Sequence, residues 1–189
     1  MLRDYVKNSS QGYNLQVLEI FSLKRDGEDK KFNPDKLDNR KLLFHGSSFS
    51  NFVGILTNGM RIAPPEAPCS GYNFGKGVYT ADMAGKSANY CRTYQSGGVG
   101  LFVMCEVALG RQYEVTVPNH QPCPKEYDST KCDGQVMPDP SGTKVLKGGL
   151  EVPMGKTIKN PKGGYMGVNE YIVYDTKQVR LPYLIKFKM

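Results

Sequence analysis

Short apolar runs separated by turn residues dominate the pattern of hydrophobic and polar positions along this chain. Residues 15–24, 41–44 and 100–109 each have the length and composition typical of strands, and 100–109 is apolar enough to be buried on both faces. Asp26 and Gly27 predict a turn after the first run. Two further strands are predicted near the end of the chain, at 170–175 and 181–188.

Two helical segments stand out, and both are short. Ser50 is the expected N-cap of the first helix, which is expected to end at Gly59 in a left-handed cap. Asp82 is the expected cap of the second helix, which extends to Cys91 and is rich in alanine. Helices therefore contribute little to the predicted fold.

The order of the elements indicates the fold class. Proline or glycine recurs through 118–142 and 153–168, so both segments are predicted as loops. Strands do not alternate with helices and no segment repeats, which argues against a doubly wound parallel sheet. The pattern predicts an α+β fold with antiparallel sheets, and 189 residues fit a single domain, 1–189.

The chain is basic, with 25 Lys and Arg against 18 Asp and Glu and a formal net charge of +7. Such a surplus favours anionic partners, among them phosphates, a dinucleotide and nucleic acid. The lysines are scattered through loops, however, as they are on an ordinary solvated surface. No stripe of aromatic and basic residues indicates a nucleic-acid-binding domain.

The cysteines and the apolar content indicate the compartment. Five cysteines, an odd number without disulfide-type spacing, suit a reducing environment. The N-terminal residues do not resemble a cleavable leader, and no apolar stretch approaches membrane-spanning length. We expect a soluble, intracellular protein without a membrane partner. His120, Cys123 and Cys132 lie in one predicted loop but lack a C-x2-C pair, so no metal site is expected.

Glu170 is the most informative single residue, because it begins an otherwise apolar strand. Side chains alternate along a strand, so Glu170 shares a face with Ile172 and Tyr174. A charge on an inward face is costly unless the protein uses it. The strand therefore indicates a carboxylate with a chemical role.

Two other segments carry polar chemistry beside apolar runs. Gly75-Lys76-Gly77 lacks the spacing of a phosphate loop and precedes a strand, so its glycines are expected to let a ligand approach the backbone. On the second helix, Ser87 and Tyr90 share a face, as do Lys86 and Tyr90. A hydroxyl beside a phenol ring suits a planar ligand that needs stacking and a hydrogen bond.

Four segments together carry a family resemblance: Phe44-His45-Gly46-Ser47, GYNFGKGVYTADM at 71–83, KSANYC at 86–91 and NEYIVY at 169–174. From about residue 5 to residue 189, the chain resembles the catalytic ADP-ribosyltransferase domain of the poly(ADP-ribose) polymerases, of the nuclear, DNA-damage-responsive type. The resemblance implies two packed antiparallel sheets with a few short helices. It also implies cleavage of NAD+ at the nicotinamide–ribose bond and transfer of ADP-ribose to proteins, elongating to poly(ADP-ribose).

The resemblance also implies roles for individual residues. His45, Tyr79 and Glu170 match the catalytic triad of the family, with Glu170 gripping a hydroxyl of the nicotinamide ribose. NAD+ is expected as a substrate, with no true cofactor. The residues expected to bind it are His45, Gly46, Ser47, Asn51, Gly54, Arg61, Gly71, Tyr72, Tyr79, Lys86, Ser87 and Tyr90.

Partners follow from the same resemblance: NAD+, acceptor proteins including this chain itself, a growing ADP-ribose chain, and a nuclear location. Asn73 and Val168 replace residues typical of relatives on the side where the growing chain would dock. The family's helical regulatory subdomain and DNA-binding modules have no counterpart in 1–189, so no direct contact with DNA through this domain is expected. If the chain is the whole protein, its activity should not need DNA breaks.

Three function classes stay open from the sequence. The first is an active transferase, making either polymer or single ADP-ribose additions. The second is a binding-only relative that holds NAD+ or ADP-ribose without chemistry. The third is a nucleic-acid-binding domain, which is supported by the basic charge alone.

Overall fold

The computed structural model describes residues 1–32, 37–64, 66 and 71–189. The helices are α1 Leu2–Asn8, α2 Glu28–Lys31, α3 Phe49–Asn58 and α4 Ala84–Ala88, with 3-10 turns at Thr93–Gln95, Pro140–Gly142 and Thr176–Gln178. The strands are β1 Gln16–Ser22, β2 Arg40–Gly46, β3 Val78–Thr80, β4 Val99–Ala108, β5 Gln112–Val115, β6 Ser129–Cys132, β7 Gly134–Pro138, β8 Thr143–Val145, β9 Glu151–Pro153, β10 Thr157–Lys159, β11 Met166–Val168, β12 Glu170–Val173 and β13 Val179–Lys188.

The largest sheet has the strand order β1-β13-β4-β2-β9-β8 within the described ranges. Its central strand β4 is buried at nearly every position, as its apolar run predicts. Apolar clusters cover both faces: one contains Phe44, Phe102 and Phe187, and the other contains Leu43 and Val103. The sheet is therefore a rigid layer whose β2 end can carry a functional group.

A second sheet of the described residues has the order β3-β12-β6-β5, and a third has the order β10-β7-β11. Phe44 of β2 and Ala81, just after β3, form an isolated bridge between the first two sheets. Tyr171 of β12 pairs with Thr80 of β3, so the start of β12 lies close to the end of β2. His45 and Glu170, which are 125 positions apart in sequence, thus lie close together.

The α+β class with a few short helices is confirmed, and the sheets are mainly, but not wholly, antiparallel. Most strand pairs are antiparallel, but β2–β9, β5–β6 and β7–β11 are parallel. The expected loop at 118–142 contains β6 and β7, and the expected loop at 153–168 contains β10 and β11. These strands have three to five residues each, too few for the alternating pattern that identifies a strand.

The helix boundaries differ from those expected. Ser48, not Ser50, is the N-cap of α3, and Gly59 after its end has φ 82° and ψ −170°, outside the left-handed helical region. Met83, not Asp82, precedes α4, which ends at Ala88 before Cys91. The carboxylate of Asp82 accepts hydrogen bonds from other parts of the chain instead.

Glu106 of β4 is a buried charge in the largest sheet, with 1% of its surface exposed. Its carboxylate accepts hydrogen bonds from Arg40 of β2 at 2.7 Å and from the Nε of Arg180 of β13 at 3.1 Å. Three adjacent strands are thereby joined by ion pairs. Such pairs compensate the desolvation of the buried carboxylate.

Cys91, Cys105, Cys123 and Cys132 are free thiols, and Cys69 lies outside the described residues. Cys132 is in β6 rather than in a loop with His120 and Cys123. None of the helices in the described part of the chain is long and apolar enough to cross a membrane.

Candidate active site

A slot of about 120 Å³ opens where β2, β3, α4 and the start of β12 meet. Gly71, Lys86, Ser87 and Tyr90 were predicted from the sequence to bind one ligand. The structure places all four in the lining of this slot. The full lining consists of Phe44, His45, Gly46, Gly71, Asn73, Tyr79, Thr80, Ala81, Lys86, Ser87, Tyr90 and Glu170. The volume is below the several hundred Å³ of a typical drug-sized pocket, so it fits a single ring rather than a whole dinucleotide.

His45 has a fixed tautomer. Its Nδ1 lies 2.8 Å from the backbone oxygen of Tyr79. A carbonyl oxygen can only accept, so Nδ1 carries the proton and Nε2 offers a lone pair. Burial lowers the pKa of His45, and the hydrogen bond to Tyr79 opposes that shift only in part. At neutral pH the ring is therefore an uncharged acceptor at the wall of the slot.

Gly46 combines a backbone edge that faces the slot with a close helix contact. Phe44 exchanges both backbone hydrogen bonds with Ala81, at 2.8 and 3.0 Å. Groups two residues apart in a strand face the same edge, so the N–H and C=O of Gly46 also face the slot. A Cβ on Gly46 would lie 2.0 Å from the carbonyl oxygen of Ser87. Only glycine lets α4 pack this closely against β2.

Tyr79 contributes a ring, because its hydroxyl is engaged elsewhere. The hydroxyl donates to the carbonyl of Gly75 at 2.7 Å and accepts from the N–H of Phe74 at 2.9 Å. Burial raises its pKa further from neutrality. The ring of Tyr72 lies 6.0 Å away, centroid to centroid. The geometry gives Tyr79 the role of a wall rather than that of a proton donor.

Glu170 is the carboxylate at the base of this slot and is 5% exposed. One oxygen, Oε1, forms an ion pair with the ammonium group of Lys86. The other oxygen, Oε2, is buried and has no hydrogen-bond partner among the described residues. A buried acceptor without a partner is costly, so the site is complete only when a ligand donates to it.

A wider cavity of about 690 Å³ adjoins the slot and shares His45, Gly46 and Tyr90 with it. Its wall is mainly polar and contains the expected residues Ser47 and Asn51, whose side chains hydrogen-bond each other at 2.9 Å. The remaining lining residues, which the sequence did not indicate, are Ser48, Ser50, Asn89 and Arg92.

Arg92 is the cation of the wider cavity. It adopts a left-handed backbone conformation, φ 48° and ψ 45°, which is uncommon for a residue with a side chain. No hydrogen bond or ion pair of its side chain occurs within the part of the chain that the structure describes. Sequence reasoning missed it because a lone arginine after a helix carries no motif.

Three expected binding residues lie outside the lining of both cavities. Gly54 is exposed on α3, and Arg61 is exposed in the loop that follows α3. Tyr72 contacts the slot only through the ring of Tyr79. Their expected contacts with a ligand stay a prediction.

Gly75 and Gly77 differ from their expected role, because a protein neighbour rather than a ligand requires each of them. A Cβ on Gly75 would lie 2.7 Å from the backbone nitrogen of Pro122, and one on Gly77 would lie 2.6 Å from Ile172. Val168 differs too: it is 4% exposed and pairs with β7, so its side chain is not at the surface.

The comparisons with known proteins identify the family. Residues 1–189 match the model of the poly(ADP-ribose) polymerase catalytic domain. The chain is 49% identical over 195 residues to "Poly [ADP-ribose] polymerase 1" of Gallus gallus, covering 100% of this chain and 19% of the relative. It is 50% identical over 192 residues to the protein of that name in Xenopus laevis, covering 98% and 19%. For "Poly [ADP-ribose] polymerase" of Drosophila melanogaster, the identity is 45% over 196 residues, covering 100% and 20%. The chain spans about a fifth of the length of these curated relatives.

Proposed function

The chain belongs to the poly(ADP-ribose) polymerase family through its catalytic domain, and on that premise we propose that it cleaves NAD+ and transfers ADP-ribose to protein acceptors. NAD+ is the substrate of this reaction. The observation that carries the proposal is the buried Oε2 of Glu170, which lies in the same slot as His45 and Gly46 and has no hydrogen-bond partner within the described ranges.

The slot suits the nicotinamide end of NAD+. A primary carboxamide has two N–H donors and one C=O acceptor, and one of its N–H groups together with its C=O complements the C=O and N–H of Gly46 as a neighbouring strand would. Ser87 and the rings of Tyr79 and Tyr90 surround the same space. A single aromatic ring with an amide therefore has both apolar walls and a polar anchor.

Glu170 acts on the ribose. When the bond between the ribose C1′ and the ring nitrogen breaks, the electron pair leaves with nicotinamide as a neutral ring and the sugar gains oxocarbenium character. A fixed carboxylate in a dry slot stabilises that charge more in the transition state than in the ground state. A ribose hydroxyl donates to Oε2. An acceptor oxygen then forms the new bond to C1′, and its proton is lost to water or to the carboxylate.

The wider cavity accommodates the ADP half of the dinucleotide. Neutral His45 accepts from a ribose hydroxyl through Nε2, beside the hydroxyl and amide groups of Ser47 and Asn51. Arg92 provides positive charge for the phosphates. Arg92→Ala should raise the KM for NAD+ with kcat nearly unchanged. Arg111→Ala, which removes the same charge from an arginine stacked on Tyr127 at 4.8 Å, should change neither value.

Glu170→Gln tests the activity itself. We expect nicotinamide release from NAD+ to fall by about 10²–10³, the usual effect of removing one preorganised electrostatic group, while NAD+ still binds. Glu19→Gln, in an exposed pair with Lys186 at 2.9 Å, is the control and should retain full release. Near-normal turnover of Glu170→Gln would discard Glu170 as the key group. NAD+ binding without release by the unaltered chain would favour the binding-only alternative.

The proposed product is poly(ADP-ribose), made on acceptors that include the chain itself, in the nucleus. Polymer formation is supported by the family and by Glu170, and the nuclear location by the resemblance of the motifs. Incubation with labelled NAD+ followed by a denaturing gel separates the products. A smear indicates polymer, whereas a discrete shifted band indicates single additions.

A further inference from the structure

Asp82 is a buried carboxylate that the proposed reaction does not use. It is 1% exposed and does not line the slot. Its Oδ2 accepts hydrogen bonds from the Nδ2 of Asn169 at 2.8 Å and from the hydroxyl of Tyr171 at 3.0 Å. Its Oδ1 has no hydrogen-bond partner within the described ranges. A group that is so costly to bury needs a reason.

The two donors to Asp82 are the residues on either side of Glu170. Because side chains alternate along an extended chain, Asn169 and Tyr171 project to the face opposite Glu170. Asn169 is held at its other end as well, since its Oδ1 accepts from the N–H of Gly134 at 2.9 Å. One oxygen atom of Asp82 thus fixes the backbone both before and after the catalytic carboxylate.

The position of Glu170 gives this attachment a function. Glu170 is the first residue of β12, and it pairs with Cys132 of β6 on one edge, whereas the pairing with β3 on the other edge begins only at Tyr171. The ammonium group of Lys86 attracts Oε1 from the α4 side. Without an anchor on the reverse face, that attraction can rotate the end of the strand and move Oε2. Catalytic groups need placement to within about 0.5 Å.

We propose that Asp82 is a positioning residue, which holds Glu170 in register with the ribose by clamping Asn169 and Tyr171 from behind the sheet. The inference rests on the proposed function, because it concerns the placement of the same carboxylate. Asp82 acts through Glu170 and does not contact NAD+. Its loss should therefore lower the rate of the chemical step and leave the ligand slot intact.

The test compares Asp82→Ala, Asp82→Asn and Tyr171→Phe with the unaltered chain. Nicotinamide release gives kcat and KM for NAD+, benzamide serves as a probe of the slot, and thermal unfolding reports the fold. For Asp82→Ala we expect a fall in kcat of about 10²-fold, the effect of a misplacement of about 1 Å, with KM and benzamide affinity within about threefold. Asp82→Asn should recover most of the rate, because its amide oxygen can accept both hydrogen bonds.

Tyr171→Phe removes one of the two donors and should give an intermediate kcat, which keeps the test informative if Asp82→Ala does not fold. Ser129→Ala is the structural control. It deletes a buried hydrogen bond of 2.7 Å to Leu109 at the other end of the β6–β12 pair, where Ser129 faces Val173. We expect Ser129→Ala to lower the melting temperature without changing kcat.

Each outcome separates the two proposals. The role of Asp82 would be overturned, and the proposed function would not, if kcat were normal for Asp82→Asn and Tyr171→Phe and also for Asp82→Ala where that variant folds. A loss of kcat that accompanies an equal loss of benzamide binding, or that Ser129→Ala shares, would also overturn it. No nicotinamide release by the unaltered chain would overturn the proposed function, and the positioning role with it.

Discussion

Asp82→Asn should stabilise the folded chain, and the gain should depend on pH. Burial raises the pKa of Asp82 from 3.8 to about 6, against the opposing effects of the hydrogen bonds from Asn169 and Tyr171 and of the positive charge of Lys131. The phenol groups of Tyr5 and Tyr171 face the same carboxylate, and burial keeps both protonated at neutral pH. Asp82 is therefore the group that titrates here between pH 4 and pH 7.

The sign follows from the raised pKa. Between pH 3.8 and about 6 the unfolded chain has lost the Asp82 proton while the folded chain still holds it. Stability therefore falls as pH rises through that window. Each pH unit is worth about 1.4 kcal/mol, so the total loss is about 3 kcal/mol and is complete above pH 6. The asparagine variant has no proton to lose and avoids this loss.

Urea unfolding of both proteins at pH 4, 5, 6 and 7.5 measures the effect. The free energy of unfolding of Asp82→Asn minus that of the unaltered chain should increase by about 3 kcal/mol from pH 4 to pH 7.5. Titration of other carboxylates cancels in the difference. Asp139→Asn is the matched control, because hydrogen bonds with Ser141 lower the pKa of Asp139 below its ordinary value of 3.8. Its contribution to stability changes only below about pH 3.8, so its difference should stay nearly flat from pH 4 to pH 7.5.

A difference for Asp82→Asn that is flat with pH, or that decreases, would refute this reasoning. It would mean that water or a neighbouring cation solvates the carboxylate, since a solvated group keeps its ordinary pKa. An increase would show that the chain retains a destabilising charge beside its catalytic strand. Proteins commonly accept such a loss of stability at functional sites.

Three further substitutions test the packing of the largest sheet and of the site. Glu106→Ala should destabilise the chain by about 3 kcal/mol in urea unfolding, because it leaves the guanidinium groups of Arg40 and Arg180 without their buried partner; a loss below about 1 kcal/mol would contradict this. Gly46→Ala should abolish benzamide binding, because its Cβ would displace Ser87 by more than 1 Å. Gly54→Ala on α3 is the control, because a Cβ there meets open space. It should leave benzamide binding unchanged and stabilise the helix by up to about 1 kcal/mol. Weaker benzamide binding by this variant would contradict the observed lining of the slot.

The sequence predicted the parts of the site that lie in recognisable local patterns. Glu170 at the head of an apolar strand indicated a buried carboxylate, and the motif around His45 and Gly46 located the slot. Arg92 and Asp82 were not identified in these roles, because their importance depends on contacts between distant segments. Asp82 in particular matches the pattern of a helix cap, yet its hydrogen bonds go to residues 87 and 89 positions away.

The fold was predictable to a similar extent. Long apolar runs such as 100–109 correspond to β4, since burial on both faces leaves a continuous hydrophobic signal. The three- to five-residue strands between 129 and 168 gave no such signal. Their polar residues and prolines tolerate pairing because neighbouring strands, rather than local propensity, determine their conformation.

The position of β13 has a consequence for how the protein is synthesised. This strand, Val179–Lys188, follows the other strands of the sheet in sequence and lies between β1 and β4. The N-terminal strand therefore has no neighbour in the sheet until the ribosome has released residues 179–188. A nascent chain can already contain every substrate-binding residue and still lack the layer that supports them. We expect the complete sheet to form only after residues 179–188 have been synthesised, so the emerging chain depends on protection from aggregation until then.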